Sequence, residues 1–203
     1  MVGHQVLVLG IGVRVPVWQF TTMQYKIFSA TPTDSEAINN IYYSTWISTY
    51  PSKEHAVSKE DIEDMLKSTL SVETLESHKK WLSSLPDDVR VYVAKDINKV
   101  IGFCYVKKGI DNENNKLRAI YVDSSYQGKG IGKLLWNAAL DFLDLKKETD
   151  VQVVAYNDSA IKFYEQLGFI DDGIRTENDE DFRLKSGKIL PLAYLKHPAD
   201  NYR

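Results

Sequence analysis

Apolar and polar positions alternate along this chain with two different periods, and the places where the period changes mark its elements. Tyr25–Ser29 alternates as a short strand, and Thr33-x-x-Glu36 has the form of a capping box that opens a helix. Ile38, Ile41, Tyr42 and Thr45 recur at helical spacing until Pro51, whose ring and missing N–H do not fit a helix interior. A second helix is predicted from Ser58 with Asp61 in the capping position, and a third carries Leu75, His78, Trp81 and Leu82 before Pro86 and Asp87 close it. The period then drops to two. Residues 89–95 and 100–106 read as a hairpin joined by 96–99, residues 111–115 as a polar loop, and 117–122 as a further strand.

After 122 the period returns to that of a helix. Ile131, Leu134, Leu135, Ala138, Ala139, Phe142 and Leu143 form one apolar stripe. Residues 151–155 are a β-branched strand, and 159–167 a short helix that Gly168 ends by taking positive φ. Two more strands, 169–175 and 189–196, flank an acidic segment at 176–181. This order predicts a single α/β (α+β) domain around a mixed, mostly antiparallel sheet of about seven strands. Residues 117–155 supply a parallel pair through a helical crossover.

Composition narrows the class. With 43% hydrophobic and 26% charged residues, the 203-residue chain is that of a globular domain able to bury a core. A formal net charge of -3 gives no basic field to draw it to nucleic acid or anionic lipid. No apolar run approaches the ~18 residues a membrane helix needs. One cysteine, Cys104, allows neither an internal disulfide nor a Cys-rich zinc site, so the reading is a cytoplasmic protein without a metal. Residues 1–22 break the regular pattern. The apolar run at 6–13 has no basic flank before it and no small-residue cleavage pattern after it, which argues against a signal peptide. This stretch reads as an upstream extension or mis-chosen start, or else as an extra strand on the domain's edge. The domain proper is then 23–198, with a tail at 199–203.

The chemistry concentrates in Gln127-Gly128-Lys129-Gly130-Ile131-Gly132-Lys133, between a strand and the best-marked helix. Free N–H groups and the positive dipole end of a helix N-terminus suit a phosphate, and glycines let its oxygens approach. A tight turn alone has the same composition. The nucleoside-triphosphate loop does not fit, since Gln127 stands where its first glycine belongs and Leu134 where Ser or Thr should follow the lysine. The dinucleotide fingerprint fits poorly, because Lys133 occupies its third glycine position.

Gln127-x-x-Gly130-x-Gly132, after the strand LRAIYV, resembles the pyrophosphate-binding motif of the GNAT superfamily of acyl-CoA-dependent N-acyltransferases. The run from Asn157 through Ala160, Phe163 and Tyr164 to Gly168 and Phe169 is similar to that family's second signature. The resemblance implies acetyl-CoA as cosubstrate, with the pantetheine laid against a splayed strand at Ile120, Tyr121 and Val122. It implies a pyrophosphate held by backbone N–H groups from Gln127, Gly128, Lys129, Gly130, Ile131 and Gly132, with Lys129 or Lys133 adding charge. Either lysine also fits a solvated helix face. Asn157 and Ala160 would share the cofactor side of a helix with Tyr164, which in this family commonly protonates the departing thiolate. Tyr164 also fits a packed, amphipathic tyrosine.

Acylation needs a neutral amine, and an alkyl amine with pKa about 10 is nearly all protonated at neutral pH. Many family members place a carboxylate near the start of the cofactor-binding strand, where this chain has Lys116 and Arg118. Glu113 is the nearest upstream carboxylate and the candidate base; it also fits a loop charge, and a water chain would serve in its place. Trp46 and Tyr50 resemble the aromatic residues that wall the family's acceptor site, though ordinary packing under a helix end accounts for them equally. Acids at Glu54, Glu60, Asp61, Glu63 and Asp64 would favour a cationic acceptor if they line that cleft. The expected activity is direct acetyl transfer to a primary amine, a small amine or polyamine before a protein N-terminus or lysine, and a non-catalytic acyl-CoA sensor is the competing class. The resemblance also implies pairing of two copies through their sheets.

Overall fold

The computed structural model describes residues 25–200; the expected extension at 1–22 lies outside them, as do the last residues of the expected tail. Strand β1 (Tyr25–Ser29) leads into helices α1 (Ser35–Thr49), α2 (Lys59–Met65) and α3 (Val72–Ser83). Strands β2 (Val89–Asp96), β3 (Lys99–Lys107) and β4 (Asn115–Val122) follow, then α4 (Ile131–Leu140), β5 (Thr149–Val154), α5 (Asp158–Gln166), β6 (Ile170–Thr176) and β7 (Leu192–His197). The strands form a seven-stranded sheet in the order β1-β2-β3-β4-β5-β7-β6. Only β4 and β5 run parallel; the other neighbours are antiparallel.

Each face of the sheet is covered because each strand alternates. Ala94, Ile101, Cys104, Val106 and Leu117 pack toward the α4 residues Ile131, Leu135, Trp136 and Ala139. Val91, Val93, Val100 and Phe103 point the other way, onto Ile38 and Ile41 of α1 and Leu82 of α3. A third cluster joins Trp46 and Tyr50, at the end of α1, to Ile62 and Leu66 and to Leu184, Leu190 and Leu192.

Several boundaries differ from the sequence expectation for local reasons. The box that opens the first helical region is Thr31–Asp34 rather than Thr33–Glu36: Thr31 N–H and Oγ1–H both donate to Asp34 Oδ2, at 2.9 and 2.8 Å. Pro32 starts a short 3-10 turn there, moving the entry two residues upstream. α4 ends at Leu140 instead of Leu143, yet Leu143 stays buried because its N–H still reaches Ala139 O at 3.2 Å. β4 starts two residues early, at Asn115, a polar residue that is fully buried. Its amide accepts from Gly109 N–H at 3.1 Å and donates to Asp144 O at 2.9 Å, so its burial leaves nothing unsatisfied. In the acidic segment after β6, Glu180–Phe182 forms a 3-10 turn, and the Phe182 ring stacks on Trp46 at 6.1 Å.

Candidate active site

The parallel pair is short. β4 and β5 pair at Asn115↔Thr149, Lys116↔Asp150 and Leu117↔Val151, whereas β4 continues on β3 to Val122 and β5 continues on β7 to Val154. Past these three pairs the strands part and turn unpaired edges toward each other. Arg118 stands at the vertex as the extra residue of a β-bulge, because the register on β3 steps from Val106↔Leu117 to Tyr105↔Ala119. The free edge of β4 is roughly 17 Å long at about 3.3 Å per residue, and its backbone groups need an extended partner that donates and accepts hydrogen bonds. Ile120, Tyr121 and Val122 line the resulting cleft, which has a volume of 1850 Å³.

At its far end the cleft meets the glycine-rich turn. Gly128 and Gly130 both take left-handed backbone, φ 73° and 79°, and the space beside each Cα is open. The first helical bond runs from Leu134 N–H to Gly130 O at 3.1 Å, which leaves the N–H groups of Ile131, Gly132 and Lys133 without helical acceptors. That is an anion seat with the positive end of α4 behind it. Gln127 lines the cleft as well, and its N–H donates to Ser124 O at 3.4 Å. The Gln127 side chain ties the turn to the strand, donating to Val122 O at 3.1 Å. Gly132 has a second reason to be glycine: a Cβ there would come within 2.8 Å of the Phe163 ring, where α4 meets α5. Lys133 lines the cleft. The Lys129 ammonium lies over the Tyr126 ring at 4.7 Å and is not among the lining groups.

α5 delivers the second signature. Asn157 is its N-cap: Oδ1 accepts from Ala160 N–H at 3.1 Å, and Nδ2 donates to Tyr50 Oη at 3.3 Å. Tyr164, two turns on, is 7% exposed and, like Asn157 and Ala160, lines the cleft. The far end of α5 is fixed by Gly168 at φ 93°, with Phe169 N–H bonded to Tyr164 O at 3.0 Å and Gly168 N–H to Glu165 O at 2.9 Å. Trp46 and Tyr50 both line the cleft and pack within it, their rings 4.4 Å apart. Trp46 Nε1–H donates to Tyr121 Oη at 2.9 Å. Burial, and then the neighbouring Tyr50 and Cys104, raises the Tyr164 hydroxyl well above its ordinary pKa. Burial likewise raises Tyr121, and lifts Tyr42 to about 12.

The charged groups fall differently from the expectation. Glu113 does not reach the cleft: its side chain is 65% exposed, 3.7 Å from Lys107, in a separate small depression with Ile110 and Asp111. The loop 108–114 folds away from the vertex, with Lys147 Nζ donating to the carbonyls of Gly109 and Asp111. Glu54, Glu60, Asp61, Glu63 and Asp64 are also absent from the lining. Glu63 pairs with Lys59, Asp64 with Lys67, and Asp61 caps Ser58. The carboxylates that do line it are Asp150, Asp172, Asp179 and Asp181.

Asp150 was not foreseen from the sequence, since nothing local marks the strand register that brings it to Lys116 Nζ at 2.5 Å. Asn114 Nδ2 holds its other oxygen at 3.2 Å. His78 lines the cleft too, but its Nδ1 accepts from Asn39 Nδ2 at 2.7 Å, leaving Nε2 as a donor, and burial lowers its pKa. Cys104 is fully buried beneath the sheet, and burial pushes its thiol far up.

A splayed parallel pair that opens onto a glycine-bounded helix N-terminus defines a domain built to hold an extended, phosphate-tailed thioester. The sequence profile of the Acetyltransferase (GNAT) family matches residues 37–169, and the chain belongs to that family of acyl-CoA-dependent N-acetyltransferases. It is 34% identical over 85 residues to an N-acetylaspartate synthetase of Xenopus tropicalis, covering 41% of this chain and 31% of that one. A synthetase of the same name from Danio rerio is 32% identical over 106 residues, covering 51% of this chain and 36% of the relative. The chain thus spans about a third of the length of these two relatives. In fold it is similar to the PaiA N-acetyltransferase of Thermoplasma acidophilum, solved with coenzyme A, at a TM-score of 0.62 and 22% identity over 86% of this chain and 98% of that one.

Proposed function

We propose that the protein transfers the acetyl group of acetyl-CoA directly to the primary amine of a small molecule within a ternary complex. The observation that carries this reading is the buried Tyr164 hydroxyl in the cleft between the open edges of β4 and β5. The edge at Ile120, Tyr121 and Val122 would pair with the pantetheine amides, and the N–H groups from Gly128 to Lys133 would take the pyrophosphate. The acyl end then lies toward the vertex.

There the amine nitrogen attacks the thioester carbonyl carbon, the C–N bond forms, and the C–S bond breaks with its electron pair on sulfur. Tyr164 donates its proton to that sulfur, the product nitrogen releases a proton to water, and a proton from water restores the tyrosine. Because burial raises the tyrosine above a thiol of pKa about 8.5, full transfer is uphill; the hydroxyl acts chiefly as a hydrogen-bond donor to the developing sulfur charge, and departure of the neutral thiol draws the transfer forward. Cys104 is unsuited to a covalent relay, being fully buried. The lone pair of His78 is occupied by Asn39, and Asp150 is held by Lys116 and Asn114. The acceptor attacks as its free amine, its ammonium proton lost beforehand.

A small acceptor is favoured over a peptide because Phe182, Trp46 and Tyr50 pack as an aromatic wall lining the cleft. The acids of α2 stand outside the cleft and lend a polyamine no support; Asp172, Asp179 and Asp181 line it instead. The test is an acceptor panel of amino acids, diamines, polyamines and short peptides, read by CoA release, with mass analysis of enzyme exposed to acetyl-CoA alone. Turnover of small amines with unmodified enzyme is expected. Exclusive use of peptide amines, or an acetylated enzyme, overturns the reading, and tight acetyl-CoA binding without any turnover points to a sensor.

A further inference from the structure

Among the cations of the cleft, Arg118 stands apart. Lys116 is paired with Asp150 and Lys196 lies 4.0 Å from Glu148, and Lys133 sits at the phosphate end. Arg118 is exposed, lines the cleft, and has no hydrogen bond or ion pair among the described residues. Its place is structurally marked: it is the bulged residue at the vertex, where β-bulges re-aim a side chain beside a site. An arginine presents a planar fork of donors that matches a carboxylate in two parallel hydrogen bonds. Near the vertex such a group repels a bare ammonium acceptor and attracts one that carries its own anion. The cleft also holds Asp172, Asp179 and Asp181, so it offers charge of both signs, as an ammonium–carboxylate molecule requires.

Resting on the small-acceptor reading above, we propose that the acceptor is an amino acid, an amine that carries a carboxylate, and that Arg118 is the residue that selects it by binding that carboxylate. A further donor in the lining is Nε2–H of His78, which follows from the Asn39 bond to Nδ1. It lies on the β3 side, stacked on Trp81, which packs against Tyr105 across from Ala119.

The experiment compares matched pairs of acceptors, each amino acid against the amine left when its α-carboxylate is removed, at saturating acetyl-CoA. The unmodified enzyme is expected to prefer the acid member by roughly 10- to 100-fold in kcat/KM, the range of a charge-assisted hydrogen-bonded pair. Arg118→Ala should collapse that ratio toward one by raising KM for the acid, and Arg118→Lys should restore part of it. KM for acetyl-CoA should not move, and circular dichroism should report an intact fold. Equal use of both members by the unmodified enzyme overturns the assignment while leaving small-amine acetylation standing. So does an Arg118→Ala defect that appears in KM for acetyl-CoA, which would make the arginine a cosubstrate contact. Turnover of peptides with no small amine accepted overturns both proposals together.

Discussion

At the scale of single residues, the proposed chemistry rests on a hydroxyl whose environment holds its proton. Tyr164→Phe removes the donor and keeps the ring that packs against Phe163 and Phe169. It should lower kcat by about 10²- to 10⁴-fold, the usual worth of a general acid, with little change in KM for acetyl-CoA. A fall below tenfold would mean that water protonates the sulfur. The pH profile follows from the same groups. For attack by the free amine without help from a protein base, log kcat/KM should climb about one unit per pH unit toward the amine pKa near 10. Burial keeps Tyr164 protonated throughout that range, so no falling limb should appear first. A plateau near neutral pH would instead reveal a base, with Asp150→Asn the variant to try next.

At the scale of elements, the site depends on two helices meeting correctly. Gly132 allows the start of α4 to touch Phe163 of α5. Gly132→Ala should destabilise the fold by about 1–3 kcal/mol through overpacking and weaken acetyl-CoA binding, and Phe163→Leu in the same chain should recover part of both. If the double variant is no better than the single one, the glycine serves the phosphate alone. Gly168→Ala tests the other end of α5. A methyl group there meets His197 Nε2 at 2.9 Å on a backbone at φ 93°, so a stability loss of about 1–3 kcal/mol is expected in urea unfolding.

Across the whole molecule, ligand binding and folding are linked. Acetyl-CoA at about 100 times its dissociation constant should add roughly 2.7 kcal/mol, or about 5–10 °C in Tm for a domain of this size, with NAD and ATP giving no comparable shift. A shift with NAD or ATP alone would contradict the seat assigned at α4. The tyrosines set the alkaline limit. Burial raises Tyr42 and Tyr156 to about 12 and also raises Tyr50, Tyr121 and Tyr164. Because these folded values exceed the unfolded value of about 10, their contribution is complete below pH 10 and is lost as pH rises through the folded values. Tm should therefore stay level from about pH 7 to 9 and fall above 10, with tyrosinate absorbance appearing together with unfolding.

What the sequence determined by itself is what depends on neighbours along the chain. Periodicity marked the helices and the strands, because each must bury one face, and Gly130, Gly132, Asn157 and Gly168 were legible because helix ends demand such residues within a few positions. Tertiary structure decided everything that depends on strand register. It carried Glu113 away from the cleft and placed Asp150 beside Lys116, 34 positions on. It turned Arg118 from a missing carboxylate into a bulged cation at the vertex. The splay between β4 and β5 belongs to this second group: hydrogen bonds across a parallel pair leave no local trace in either strand, so the opening proposed for the acetyl donor exists only once both are placed.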